Sequence, residues 1–222
     1  ITAEDPVERE LPYVTHNQIS PSTSFADLSR SFMRQDAEVI FLGEIRDEES
    51  AIAATQLAQT GHLVVSTLHT RDSIGVIGRL GALGVDSHTL ASTLIGSMAQ
   101  RLVPALCPNC KQPHHMDPAL LEQLNQILPI PEGVEIFKQG PGCDSCNVSV
   151  GKTVLSSGTK GGMPIFELFV VDDEIADFIS LKKSRAEVLY LAQTKGMLTL
   201  PQESLLRLYQ GFISFESIKS LV

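Results

Sequence analysis

Four cysteines form two Cys-x-x-Cys pairs, separated by 32 residues: Cys107, Cys110, Cys143 and Cys146. Each pair can direct two thiolates at one tetrahedral ion, and two pairs complete its shell. A complete shell predicts a structural rather than a catalytic zinc. His114 and His115 are alternative ligands, but the cysteines already fill the shell. A disulfide framework is the weaker interpretation, because nothing else in the sequence indicates secretion.

The second candidate feature is an apolar run from Val39 to Gly43 that is followed directly by Glu44. A buried strand with a carboxylate at its carboxyl end is the arrangement of a Walker B element, in which the acid holds Mg²⁺, usually through water. The pattern alone is weakly specific, since any strand can end in an acid.

Acidic residues also cluster near the start of the chain, at Glu4, Asp5 and Glu8, just after a predicted strand end. A carboxylate held rigidly near a metal can act as the general base for attack of water on a γ-phosphate. An ordinary acidic turn is the alternative.

Two histidines, His62 and His69, lie at the ends of the strand-like segment Leu63–Leu68. A lone histidine is usually structural. A pair that borders one strand, together with Thr67 and Thr70, can instead report the state of a bound nucleotide along that strand.

Strand-like and helix-like segments alternate over the first hundred residues. The pattern predicts strands at 38–43 and 62–67, and helices at 24–33, 47–60, 72–83 and about 86–101. Continuous apolar strands that alternate with helices predict an α/β fold with a mainly parallel sheet. A strand at 164–171 and a helical region from 172 to 222 follow.

The amino-acid composition changes at Pro104. Residues 104–163 contain seven of the 12 prolines, seven of the 16 glycines and all four cysteines. We expect an irregular segment that metal binding helps to order. Within it, residues 147–163 are predicted to be a flexible Ser/Gly/Lys loop.

Composition limits the remaining possibilities. The chain has 222 residues, 43% hydrophobic residues and a net charge of −9. A packed core is therefore feasible, and a nucleic-acid partner is not expected because phosphate binding depends on Lys and Arg. No apolar run reaches the ~18 residues of a membrane span. The start at Ile1 shows neither an initiator Met nor a signal peptide, and we expect a piece of a longer polypeptide.

Taken together and in this order, the motifs resemble those of the secretion ATPases of type II secretion systems and type IV pilus assembly. Five segments carry the resemblance, and they cover nearly the whole chain: the Asp box at 4–8, the Walker B at 43–47, the His box at 60–70, the entry to the zinc segment at 100–107 and the C-terminal region at 196–200.

The resemblance implies a RecA-like ATPase domain that assembles as a homo-hexamer and uses ATP and Mg²⁺. Glu4 matches the acid that activates water, and Glu44 matches the Walker B acid. His62 and His69 match histidines that link the nucleotide to subunit movements. Arg46, with Glu4 and Glu44, is placed at the nucleotide, and Arg79 is a second matching arginine.

The resemblance also implies partners and a location. The partners are an inner-membrane platform and cytoplasmic adaptor proteins of a pilus or secretion machine, and the location is cytoplasmic, peripheral at the bacterial inner membrane. The cysteines match the zinc module of secretion and pilus-extension members. Retraction motors generally lack that module.

One departure concerns the P-loop. The only Gly-Lys-Thr is Gly151-Lys152-Thr153, and the required upstream glycine is replaced by Cys146, so this segment is rejected as a Walker A motif. In the family the Walker A lies upstream of the Asp box. We therefore expect this chain to be the C-terminal part of the motor and to be inactive on its own.

The predicted segments are 1–103, the later part of the ATPase domain; 104–163, the zinc segment; and 164–222, a mostly helical subdomain. The alternative is a zinc-stapled binding module without ATPase activity, docking a protein or a nucleic acid. The net charge argues against the nucleic acid, and such a module does not explain the order of the other motifs.

Overall fold

The computed structural model describes the backbone of residues 1–150 and 153–222, and the side chains of residues 1–148 and 157–222. Gly151 and Lys152, from the rejected P-loop match, lie outside the described residues. The strands are β1 (Thr2–Glu4), β2 (His16–Gln18), β3 (Val39–Leu42), β4 (Leu63–Ser66), β5 (Gly96–Leu106), β6 (Gln112–Pro113), β7 (Phe137–Lys138), β8 (Asn147–Val150), β9 (Thr153–Ser156) and β10 (Thr159–Val170). The helices are α1 (Phe25–Phe32), α2 (Glu48–Gln59), α3 (Gly75–Ala82), α4 (Ser87–Thr93), α5 (Pro118–Ile127), α6 (Asp173–Ser180), α7 (Arg185–Thr194), α8 (Leu200–Tyr209) and α9 (Phe215–Ile218).

The first four strands form one parallel sheet in the order β2-β1-β3-β4. This confirms the predicted α/β class with a parallel sheet. Because all four strands run in one direction, their carboxyl ends meet at a single edge. Residues that follow β1, β3 and β4 are therefore neighbours, although they lie far apart in the sequence.

Local sequence signals fix the helices beside this sheet. Ser24 caps α1, a helix predicted at 24–33, and exchanges reciprocal hydrogen bonds with Asp27. Asp47 caps α2, and Gly61 follows the helix with a φ of 96°. Such a φ is costly for residues with a Cβ, so glycine is the suitable residue at this stop.

The core beside the sheet is built from aliphatic and aromatic side chains on α1, α2 and β3. Phe32, Ile40, Leu42 and Leu57 are fully buried. Burying one such side chain stabilises the fold by roughly 1.5–3 kcal/mol. The positions of β3 and the loop after it are therefore set by packing.

Internal contacts divide the chain into two compact units: residues 1–97 with 169–195, and residues 98–168 with 196–222. Two of the three boundaries fall within β5 and β10, and the third lies between α7 and α8. The second unit has its own core, which includes Leu124, Ile165 and Leu205. The two compact units do not coincide with the three segments predicted from the motifs. The segments 1–103, 104–163 and 164–222 therefore stay a prediction.

The predicted helix at 86–101 is wrong in its second half. Helix α4 ends at Thr93, and residues from Gly96 onwards form β5. Gly96 is a poor helix former, and a Cβ at this position would lie 2.8 Å from the Phe169 carbonyl oxygen. Pairing with β10 overrides the helix propensity of the residues that follow.

Residues 104–163 are also more regular than expected. They contain helix α5, with Asp117 as its cap, and residues 147–156 include the antiparallel pair β8 and β9 rather than a loop. Strand β10 then begins at Thr159. In the parts of the chain described above, no helix is long and apolar enough to cross a bilayer.

Candidate functional site

The carboxyl edge of the parallel sheet brings three of the predicted residues into one region. Glu4 ends β1, Glu44 lies two residues beyond β3, and His69 lies three residues beyond β4. Backbone hydrogen bonds continue past the strands, from the Gly43 N–H to the Ala3 carbonyl (2.7 Å) and from the Ile45 N–H to the Thr67 carbonyl (3.0 Å). The strand tips are thus held together by backbone.

The Glu44 carboxylate lies in a small cluster of charged groups. Arg46 forms an ion pair with one oxygen, and His69 Nε2 lies 3.4 Å from the other. The hydrogen bond from Arg46, together with the nearby charges of Arg46 and His69, lowers the pKa of Glu44. Glu44 is therefore an anion at neutral pH, the form that binds a cation.

Arginine side chains connect the loops at this edge. Arg46 lies 3.7 Å from Asp5 at the tip of β1, so it bridges the acidic segment and Glu44. The Arg79 guanidinium donates to the Arg46 carbonyl at 2.9 Å. The Arg79 side chain thus supports the backbone of the loop after β3.

The Glu4 side chain contacts other residues than those around Glu44. Its Oε1 accepts hydrogen bonds from Thr2 Oγ1 (2.7 Å) and His16 Nδ1 (2.8 Å). The hydrogen bond from Thr2, then that from His16, and a smaller contribution from the Glu8 backbone lower the pKa of Glu4, although burial opposes them. The lowered pKa keeps the carboxylate anionic, and because the residue is only 9% exposed, its hydrogen bonds also fix its position.

Sequence reasoning did not find His16 or Thr2. Strand β2 is three residues long and polar, and no periodicity marks so short a strand. The parallel pairing of Thr2 with His16 places the two residues beside Glu4. Only the sheet order, which the sequence does not contain, reveals this group.

The structure does not bring His62 to the Glu44 cluster. The His62 ring contacts Thr60 Oγ1 (3.0 Å) and the Leu57 carbonyl (3.0 Å) at the carboxyl end of α2. It lies at the amino end of β4, whereas His69 follows the carboxyl end, and four extended residues span about 13 Å. Any role of His62 must therefore act through β4 or α2.

Two clefts among the described residues leave out Glu44 and His69. One, of about 740 Å³, follows the strands and is lined by Glu4, His16, Val39 and Phe41 among others. The other, of about 460 Å³, lies beside α4 and includes none of the predicted site residues. The first cleft therefore adjoins the candidate site at Glu4, whereas the Glu44 cluster lies outside both clefts.

The four cysteines form a separate cluster in the second unit. Their sulfurs all lie within 4.8 Å of one another. Individual Sγ–Sγ distances are 3.7 Å for Cys107–Cys143, 3.8 Å for Cys110–Cys146 and 3.9 Å for Cys143–Cys146. A tetrahedral zinc with Zn–S bonds of about 2.3 Å requires sulfurs about 3.8 Å apart, whereas a disulfide requires about 2 Å. The four thiols are therefore spaced to hold one metal ion.

The thiols share protons unevenly. Burial, with the hydrogen bond to Cys146, raises the pKa of Cys110 to about 12. Burial also opposes ionisation of Cys146, but hydrogen bonds from the Cys143 backbone and the neighbouring thiols outweigh it and lower the pKa to about 7. A lowered pKa favours the thiolate of Cys146, and the thiolate is the form that binds a metal.

A lysine beside the first cysteine pair anchors it to the rest of the second unit. Lys111 Nζ donates to the Gly211 carbonyl at 2.8 Å and lies 4.0 Å from the centre of the Phe137 ring. The residue follows Cys110 directly. Its sequence context gave no indication of this contact, which joins positions 100 residues apart.

Comparison with known proteins identifies the family. The family model of the type II/IV secretion system proteins matches residues 1–220. The chain belongs to this family. It is 41% identical over 219 residues to the type IV pilus assembly ATPase PilB of Thermus thermophilus, and 34% identical over 220 residues to the type II secretion system protein E of Dickeya dadantii.

Each of these two alignments covers 98% of this chain, but only 24% of the Thermus relative and 41% of the Dickeya relative. Among solved structures, the pilus retraction motor PilT with bound ADP matches with a TM-score of 0.68 and 25% identity. That match covers the whole of this chain and 51% of PilT. The chain thus spans from about a quarter to about half of the length of these relatives.

Proposed function

We propose that this chain is the part of a hexameric ATPase that carries its Asp box, Walker B and His box, and that the whole protein couples ATP hydrolysis to type IV pilus assembly or type II secretion. The observation that carries the proposal is the convergence of Glu4, Glu44 and His69 at one edge of a parallel sheet, in a chain matched by the family from residue 1 to residue 220. Open parallel sheets bind ligands outside the carboxyl ends of their strands.

The residues divide the work of phosphoryl transfer, in which positioning and electrostatics dominate. Glu44 would hold Mg²⁺, through water, and Mg²⁺ supplies charge neutralisation on the phosphates. Glu4 would hold and polarise the attacking water. Arg46 would contact the bound nucleotide, and this contact would compete with its ion pairs to Glu44 and Asp5.

The histidines take separate roles in this proposal. His69 lies 3.4 Å from Glu44, so movement of that carboxylate would reach the loop after β4. His62 holds the start of the same strand through the end of α2. The pair would therefore relay a change at the nucleotide along β4.

Substitution in the full-length protein tests the proposal. Glu44→Gln keeps the shape of the side chain and removes its charge, so steady-state ATP turnover should fall at least about 100-fold. Glu122→Gln, a matched change on the exposed face of α5, should leave turnover unchanged. The 222-residue chain alone should not hydrolyse ATP. Turnover by Glu44→Gln at the wild-type rate would overturn the proposal.

For the second unit we propose structural zinc, held by Cys107, Cys110, Cys143 and Cys146. The support is the spacing of the four sulfurs, which fits a tetrahedral thiolate site. Metal analysis of the purified chain should give about one zinc per chain. A cysteine module of this kind favours pilus extension or secretion over retraction.

The machine partners follow from the same proposal. An inner-membrane platform and cytoplasmic adaptor proteins would contact the hexamer, which would lie on the cytoplasmic side of the bacterial inner membrane. The relatives named above are components of such machines.

A further inference from the structure

Beyond the motif residues, we infer that His16 is a positioning residue for the general base Glu4: with Thr2, it fixes Glu4 Oε1 so that Oε2 is directed at the attacking water. The inference rests on the proposed function, because it assigns His16 a role only if Glu4 activates water.

The direction of the hydrogen bonds supports the inference. The Leu11 backbone N–H donates to His16 Nε2 at 3.0 Å, so that nitrogen is an acceptor. In the neutral ring the proton therefore lies on Nδ1, which faces Glu4 Oε1 at 2.8 Å. A backbone contact thus selects the tautomer that donates to the carboxylate.

Both donors meet the same oxygen. Thr2 Oγ1 donates to Oε1 at 2.7 Å and lies 3.2 Å from His16 Nδ1, so the three groups form a closed triangle. Neither Thr2 nor His16 binds Oε2. The two side chains therefore hold the carboxylate at Oε1, with the Glu8 backbone as a further, weaker donor to the carboxylate.

Burial makes this restraint effective. The side chains of His16 and Glu4 are 14% and 11% exposed, so water competes little for their hydrogen bond. The pairing of Thr2 with His16 between β1 and β2 fixes both donors on the sheet. A general base on a rigid strand needs such support, since a misplacement of about 1 Å can cost about 100-fold in rate.

Steady-state kinetics of the full-length ATPase tests the inference. His16→Phe keeps a ring and removes the donor, so kcat should fall roughly 10- to 100-fold while KM for ATP changes less than about twofold. His16→Asn places an amide N–H near the position of Nδ1 and should restore most of kcat. His88→Ala removes an exposed histidine of α4 and should match the wild type.

A double substitution distinguishes positioning from a general structural effect. In a Glu4→Gln background, His16→Phe should cause no further loss, because His16 acts through Glu4. Multiplication of the two losses would overturn the inference. If His16→Phe does not fold, as judged by its thermal transition, Thr2→Val removes the second donor and should lower kcat in the same way.

The outcomes distinguish failure of the proposed role of Glu4 from failure of the role of His16. If Glu4→Gln retains the wild-type kcat, the proposed role of Glu4 fails, and the inference fails with it. If Glu4→Gln loses activity while His16→Phe and Thr2→Val both retain it, the inference alone is wrong.

Discussion

At the scale of single residues, the cysteine cluster depends on a glycine as well as on its thiols. A Cβ on Gly140 would overlap the Cys110 carbonyl oxygen and lie 3.2 Å from the Cys110 sulfur. These backbone atoms belong to the first cysteine pair, so a larger residue at 140 must displace it. Glycine is therefore required here by close approach rather than by an unusual φ.

We predict that Gly140→Ala weakens zinc binding about 10- to 100-fold, the range typical for groups that orient metal ligands. Competition with a chromophoric chelator measures the affinity. Gly81→Ala is the matched control, because a Cβ there meets no atom within 4 Å, and it should bind zinc as the wild type does. Equal affinities for Gly140→Ala and the control would contradict the prediction.

Residue types indicated which side chains meet at the sheet edge better than they indicated the neighbours that hold those side chains. Glu44 and His69 stand out because a carboxylate and a histidine follow apolar strands, and the structure brings both to one edge. His16 carried no such signal, since its importance arises from the pairing of β2 with β1. Sequence alone identifies residues at strand ends, whereas cross-strand neighbours require the sheet order.

At the scale of elements, helix α7 shows how capping makes stability depend on pH. Glu187 Oε2 accepts hydrogen bonds from Ser184 Oγ (2.8 Å) and from the Ser184 N–H (2.9 Å), and Lys183 Nζ contacts Oε1 at 3.0 Å. The Ser184 bonds, followed by that from Lys183, lower the pKa of Glu187 to about 2, from 4.5 in the unfolded chain.

A depressed folded-state pKa means that this stabilisation is complete above about pH 4.5 and is lost as the pH falls towards 2. Glu187→Gln should therefore lower the thermal midpoint at pH 7 by about 1–3 °C, and its difference from the wild type should shrink below pH 4.5. Scanning calorimetry from pH 7 to pH 3 measures this. The exposed Glu132→Gln serves as the control, and a constant difference at all pH values would rule out the proposed cause.

Elements with strong local signals were predicted correctly, and those set by distant contacts were not. Helix α1 was predicted from its capping residue Ser24, and α2 from its composition, the acidic residues at its start and Gly61 at its end. By contrast, the first part of β5, residues 96–101, was predicted to be helical, and its strand conformation depends on β10, more than 50 residues away. Local patterns cannot report such pairing.

At the scale of the whole molecule, the proposed zinc bears on more than its four ligands. Lys111 follows Cys110 and donates to the Gly211 carbonyl beyond the end of α8, and the Leu106 N–H donates to the Phe212 carbonyl at 2.8 Å. The first cysteine pair and the segment after α8 are thus joined by hydrogen bonds within the second unit. Order at the metal site should therefore stabilise the 211–213 turn.

Hydrogen exchange of the full chain before and after chelation tests this coupling. Loss of zinc removes the free energy that orders the cysteine segment, so amides at 107–146 should exchange faster, and those at 211–213 should follow. Amides of β3 and β4 should keep their protection, because their core of Ile40, Leu42 and Leu57 lies in the other unit.

A paired substitution removes the ambiguity of chelator side effects. Cys143→Ser with Cys146→Ser should show the fast exchange without chelator and should not respond when chelator is added. Lys111→Met keeps the apolar stem but loses the donor, so zinc should stay bound while exchange at 211–213 alone increases. If the metal is shown to be lost and exchange at 211–213 stays unchanged, the turn is ordered independently of the cysteines, and the Lys111 contact carries no coupling.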